Sequence, residues 1–346
     1  MSSRPPTAVD AALRYRAQLL ARDARRAAEM TQAYGLIWRD LQDRIAALLS
    51  DIEAGRERRY LEQRLSALAR QVEVEVSRYG AYADGQVAVA IQEAVGAAAG
   101  DAANVVRAAY GPMGDAVIRT AWNRLPAEAV ETAVGMLSGD SPLRTRMTAT
   151  LGQATADAVR DKLLIGIAEG WNPRKIQNEL RRTFGQGLEW SLTATRTAEL
   201  YAYREATRAN YQANSDVVKG WRWVATKDPR TCMSCIVMDG TVHPLSETLN
   251  DHHNGRCAAS PVVASYRELG IDVDGPAQPH EPARSWFEGL PEATQRQMMG
   301  DNAYEAWRGG KFDLRDYTVE YSDSVYGVMR RQATLKELLR EIDSAA

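Results

Sequence analysis

Apolar positions along most of the chain recur three or four residues apart, and one compact stretch near residues 217–260 breaks that rhythm. From Thr7 to about Leu49 the apolar series runs Leu13, Leu20, Ala24, Ala27, then Tyr34, Ile37, Trp38, Leu41, Ile45 and Leu48, with charges between. This spacing predicts a long amphipathic helix or a pair of them. A second series from Arg58 to about Ser77 (Tyr60, Leu61, Leu65, Leu68, Val72, Val76) follows a break at Gly55. Residues 86–110 are rich in Ala and Val, which predicts buried helix with a break near Gly100, and Gly111-Pro112 punctuates the chain. Helices are predicted over 116–125 and, with Pro126 in the first turn, over 127–137; a loop at 138–142 follows.

Beyond residue 143 the rhythm is again helical from Met147 to Gly170. Asn172 is placed to cap a helix over 174–184 that ends at Gly185-Gln186-Gly187, and another helix is predicted over 189–214. Then the period changes. Val217 to Val224 alternates and holds Trp221 and Trp223, as a strand would; Asp228-Pro229-Arg230 reads as a turn, and Asp239-Gly240 within 236–242 as a hairpin turn. The chain is irregular and Pro-rich from Pro261 to Pro282, helical over 291–299 and 303–307, and ends in a predicted helix over 324–342. The pattern therefore predicts a mainly α protein in three parts: a helical scaffold or docking region (1–142), a small α+β module (143–265) and an irregular, then helical extension (266–346).

Composition narrows the functional classes. With 346 residues and 45% hydrophobic content the chain can bury a sizeable core. No apolar run of about 18 residues is present, so no membrane span or membrane partner is expected. The first residues lack the apolar stretch of a secretory signal, which sets cytoplasmic synthesis as the expectation. A net charge of −2 gives no global attraction to nucleic acid. The twelve Arg against nine Asp and Glu between Asp10 and Arg70 fit a solvated helix face, with a docking arm as the sharper alternative.

The stretch that loses helical rhythm holds all three cysteines, Cys232, Cys235 and Cys257, and three of the four histidines, His243, His252 and His253. An odd cysteine count, a C-x-x-C pair and a third cysteine beside histidines point to metal ligation over a disulfide framework. Cys232 and Cys235 can place two thiolates on one side of a zinc ion, and Cys257 with His252 or His253 can supply the other two ligands of a tetrahedral, zinc-ribbon-like site. A small β element has little core of its own, so such an ion would add directly to folding. His243 could also reach the site, or be a surface turn residue. His280 reads as solvated. Reduced structural cysteines and redox chemistry are the competing readings, although no βαβ pattern frames the C-x-x-C.

Four enzymatic readings bear on the sequence. A zinc deaminase needs a His-x-Glu ahead of its C-x-x-C, and no histidine precedes this one. Asp251-His252-His253-Asn254 faintly resembles the core of an HNH-type, metal-dependent nuclease, which stays as the alternative together with a processing protease. The Glu73-Val74-Glu75 pair lies in an amphipathic series and reads as a solvated helix face, not as a transferase site.

The run Gly220-Trp221, Trp223, Asp228, Arg230-Thr231-Cys232, Cys235, Asp239-Gly240 and His252-His253-Asn254-Gly255-Arg256-Cys257 resembles the signature of the Mu F-like minor head proteins of tailed bacteriophages. Upstream, Ile167 to Gly170, Trp171-Asn172-Pro173 and Arg196-Thr197 are similar to the same family, so the resemblance spans roughly 143–262. Residues 284–317, with Trp286-Phe287, Gln295, Gly300 and Gly309-Gly310-Lys311, look like the C-terminal extension of such proteins. The resemblance implies a minor capsid protein that acts in head morphogenesis at the portal vertex, without enzymatic activity. It is expected in the virion after assembly in the host cytoplasm, with the portal protein and other capsid proteins as partners and phage DNA as a further candidate. Two positions depart from the pattern. Gly255 stands where the family often has a cysteine, which leaves Cys232, Cys235, Cys257 and, most simply, His252 as the ligands of a structural zinc. Ala198 follows Thr197 where a glutamate is usual, and Glu199 comes one place later.

Overall fold

The long apolar series form helices; the stripe of Tyr34, Leu41, Ile45 and Leu48 is buried, whereas earlier in the first series Ala24 is exposed and the buried face carries Arg16, Asp23 and Arg26 instead. The computed structural model describes residues 6–126, 129, 135, 141–150, 154–169, 171 and 173–339. The protein is mainly α, with long N-terminal helices followed by a small sheet region. Helix α1 runs Ala8–Glu53 and α2 runs Arg58–Ala109, with Gly55 between them as the pattern predicts. The predicted break at Gly100 does not occur. An interior glycine costs a helix only about 1 kcal/mol, and the buried Ala98, Ala102, Val105 and Val106 on either side hold α2 together. Helix α3 (Gly114–Ala121) stops four residues short of the predicted end, because Asn123 leaves the helix to exchange hydrogen bonds with the Asn214 side chain. The predicted helix at 127–137, most of the loop at 138–142 and the Asn172 cap lie outside the described residues. Helices α4 (Pro142–Ala149) and α5 (Thr155–Ala168) follow.

The two helices predicted over 174–184 and 189–214 are one, α6, Pro173–Gln212. Gly187 does not break it; a Cβ there would stand 3.1 Å from the Tyr34 hydroxyl oxygen and 3.3 Å from Thr155 Oγ1. The glycine is a close-approach point for neighbouring helices. Around it Tyr34 stacks on Phe184 with centroids 4.2 Å apart, Tyr79 meets Tyr34 edge-on at 4.5 Å, and Tyr79 shares a hydrogen bond with Ser191 at 3.1 Å. Such aromatic pairs contribute about 0.5–1.5 kcal/mol each beyond the area they bury.

Strand β1 (Val218–Val224) appears where the alternation predicts it, and pairs antiparallel with β2 (Val242–His243) and β3 (Ala258–Val263) in the order β2-β1-β3. Between β1 and β2 the chain forms a short helix, α7 (Met233–Met238), where the sequence had suggested a hairpin. Asp239-Gly240 turns from that helix into β2. Helices α8 (Ala283–Glu288), α9 (Glu292–Met299) and α10 (Asp301–Arg308) come next, the last two close to their predicted places. The final predicted helix is instead a β hairpin, β4 (Thr318–Asp323) with β5 (Gly327–Gln332), followed by helix over 335–339. The Asp323 carboxylate accepts from the Val325 and Tyr326 amides, and Gly327 sits at φ 73°, so local turn chemistry overrides the weak helical period.

By compactness the residues group as Met1–Leu20, Gln92–Gly135 and Leu200–Ala346 in one unit, and Ala21–Ile91 and Met136–Glu199 in another. The first unit has a core in which Trp221, Trp223, Met233, Ile236, Phe287, Leu314 and Tyr317 meet, so α7 is packed among β1, α8 and the segment leading into β4. None of the described helices is long and apolar enough to cross a membrane.

Candidate metal centre

The turn after β1 sets up the first pair of sulfurs. The Thr231 amide donates to the Asp228 carbonyl at 2.9 Å and the Arg230 amide to the Asp228 carboxylate at 2.9 Å. Cys232, extended at φ −71°, ψ 156°, then caps α7: its Sγ accepts from the Cys235 amide at 3.3 Å. Bonding from Cys235, with the His252 ring beside it, draws the Cys232 thiol down to about 5. A thiolate is therefore favoured at Cys232, chiefly through the Cys235 side chain, with the His252 ring and the Cys235 amide adding to it.

The second pair comes from the loop before β3. His252 Nε2 lies 3.3 Å from Cys232 Sγ and 3.9 Å from Cys235 Sγ, while its Nδ1 lies 2.8 Å from the His253 carbonyl and donates to it. That backbone bond assigns a proton to Nδ1 and turns Nε2 toward the sulfurs, the arrangement a metal-bound imidazole needs. The neighbouring Cys232 sulfur raises the His252 ring to about 9. The Cys235 thiol is pushed well above its ordinary value by its bonds to Cys232 and Cys257 and by burial. Donor atoms of Cys232, Cys235 and His252 lie within 4.8 Å of one another, and so do those of Cys235, Asp251 and Cys257. Cys235 is common to both groups, so three sulfurs and one imidazole nitrogen gather around it. This donor set fits a tetrahedral zinc ion by its chemistry.

The other histidines lie elsewhere. His243 stacks on Trp221 at 4.3 Å and bonds to Thr241 and Glu247 through its two nitrogens. His253 pairs with Asp323 at 3.3 Å and meets Tyr326 edge-on. His280, expected to be solvated, is a buried partner of Asp239 at 2.8 Å; its side chain is 8% exposed. The Pro-rich segment that carries it is largely exposed, with Pro279 and Glu281 on either side open to solvent, and only the His280 side chain is drawn in, onto Asp239.

Several residues frame the centre in ways that the local sequence does not announce. Asp251 sits beside the sulfurs, but its carboxylate is taken up by Arg204 at 2.7 and 3.1 Å and by the Cys257 amide at 3.3 Å. It is a framing group more than a ligand. Arg256 forks onto Asp228 at 2.5 and 2.8 Å, which holds the Asp228 carboxyl down to about 2 and ties the cysteine turn to the histidine loop. Arg16 donates to Thr226 Oγ1 and to the Arg256 carbonyl from α1. Gly255 has a steric reason: a Cβ there would fall 2.1 Å from the Asp251 carboxylate, so neither cysteine nor any other side chain fits.

Residues 157–260 match the family model described as Phage Mu protein F like protein. The chain thus carries a Mu F-like segment, and the four candidate ligands Cys232, Cys235, His252 and Cys257 lie within it. No curated protein and no solved structure matches the chain.

Proposed function

We propose that the protein is a phage minor capsid protein that acts in head morphogenesis at the portal vertex, without catalytic activity, and that Cys232, Cys235, His252 and Cys257 hold a structural zinc ion. The Mu F-like segment supports the head-morphogenesis role, a place in the virion and contacts with other capsid components. The portal protein is the proposed principal partner, and phage DNA a secondary one. In this reading residues 1–142 form the docking scaffold, 143–265 the Mu F-like module and 266–346 an extension.

The observation that carries the zinc reading is the gathering of three sulfurs and one correctly turned imidazole nitrogen around Cys235, from two segments of the matched region. When bound, zinc would supply a cross-link between those segments and no chemistry on a substrate. The test is elemental analysis of protein purified without chelator, alongside Cys235→Ser. About one zinc per chain is expected in the parent and none in the variant. A parent free of zinc would sink the reading. The portal assignment is checked by co-expression with the phage's portal protein: co-purification is expected, and separate elution on size-exclusion chromatography would count against it.

A further inference from the structure

The loop from Asp251 to Cys257 supplies His252 and Cys257, and its shape is set from outside by Arg204 on α6. The Arg204 guanidinium donates to Asp251 Oδ1 at 2.7 Å and Oδ2 at 3.1 Å. Its Nη2 also donates to the backbone carbonyls of Gly255 at 2.9 Å and Cys257 at 2.8 Å. The Asp251 carboxylate in turn accepts from the Cys257 amide at 3.3 Å. Both side chains are nearly sealed from water, at 9% and 2% exposure. The loop is drawn so tight on this carboxylate that Gly255 has no room for a Cβ.

These bonds close the loop at both ends, at the residue before His252 and at Cys257 itself. None of them uses a thiol or an imidazole nitrogen. The closure is therefore independent of any ion, and its acceptors match a planar, five-donor fork in a way that a point charge cannot.

We propose that Arg204 is a positioning residue for the metal: it fixes His252 and Cys257 in their ligating places before an ion arrives. The inference rests on the zinc reading above. The loop's conformational entropy is then lost on folding instead of on metal binding, which tightens the affinity of the formed site. Groups that orient metal ligands typically change affinity by about 10–100-fold when replaced.

The test uses the full chain and zinc itself. Zinc affinity is measured by competition with a chromophoric chelator for the parent, Arg204→Lys, and a double variant, Arg204→Met with Asp251→Asn, which leaves no lone buried charge. Circular dichroism of each zinc-free protein reports its folding. The expected result is one zinc per chain throughout, bound about 10–100-fold more weakly in the variants. Cobalt-loaded forms should show the same thiolate-to-metal absorption as the parent, since the ligands are unchanged. A variant folded like the parent and binding zinc with parental affinity overturns the positioning role and leaves the zinc site standing. A parent that binds no zinc overturns both. Loss of secondary structure in both variants, even when loaded with zinc, would assign Arg204 to the fold and also overturn the proposal.

Discussion

The Asp239 carboxylate, with its side chain sealed from water, accepts hydrogen bonds from the amides of Ala225 and Ala283, both at 2.7 Å, and pairs with His280 at 2.8 Å. One side chain thus ties the end of β1, the turn after α7 and the start of α8. Asp239→Ala would leave two buried amides and a buried imidazole without their acceptor, a loss expected to cost about 3–5 kcal/mol. Urea unfolding should show a clearly lower midpoint for that variant; an unchanged midpoint would mean that water replaces the carboxylate. In the sequence Asp239-Gly240 reads only as a turn. Nothing local marks the carboxylate as an acceptor for residues 14 and 44 positions away. The contrast with the cysteines is chemical. Thiols and imidazoles in short spacings announce a shared ligand, so Cys232, Cys235 and Cys257 could be picked out by type. The choice of His252 over His253 needed family resemblance, and the structure sets His252 beside the sulfurs. Asp228 and Arg256 stand in the family pattern without their pairing, and Arg204 stands outside it, because arginine and aspartate are common and these pairings span 28 to 53 positions.

At the scale of elements, long amphipathic helices and the aromatic strand β1 were legible because their burial follows a local period. The misreadings came where one residue type serves two purposes. Gly185 and Gly187 looked like a helix stop, yet α6 passes through both. Their surroundings differ: an added Cβ at Gly185 meets nothing within 4 Å, while at Gly187 it meets Tyr34 and Thr155. Gly185→Ala should therefore stabilise the protein by about 0.5–1 kcal/mol, since alanine is the better helix former and loses less backbone freedom. Gly187→Leu should destabilise it by about 1–3 kcal/mol through overpacking. Thermal melts of the two variants should move in opposite directions. A shift of the same sign in both would show that propensity, not close approach, governs this segment. The hairpin of β4 and β5 was missed for the converse reason. Its alternation is short, and the deciding groups are the Asp323 carboxylate over its turn and the left-handed Gly327.

At the scale of the whole chain, the two compact units differ in where they keep buried charge. In the unit made of Ala21–Ile91 and Met136–Glu199, α1 and α6 bring together Arg22, Asp23, Arg26, Arg196 and Glu199. Arg26 donates to Glu199 at 2.7 Å and Arg196 to Asp23 at 2.6 Å, while Glu199 Oε1 has no hydrogen-bond partner among the described residues. Burial outweighs the attraction of Arg26 and raises the Glu199 carboxyl from near 4.5 to about 7. Between those values the folded chain holds a proton that the unfolded chain has released, so stability falls as pH rises. The contribution is fully present below about 4.5 and lost as pH rises through about 7, up to roughly 3 kcal/mol for a shift of this size. Glu199→Gln keeps a neutral group of the same shape at every pH. Urea unfolding at pH 5, 6, 7 and 8 should therefore show the stability of the variant gaining on that of the parent with each step. A constant difference across the series would mean that Arg26 holds the carboxylate ionised throughout and that the pair, not the proton, carries the site. In the sequence Glu199 stands one place from the family's glutamate. One place along a helix turns a side chain by about 100°, and here the glutamate meets Arg26, 173 residues away in the chain.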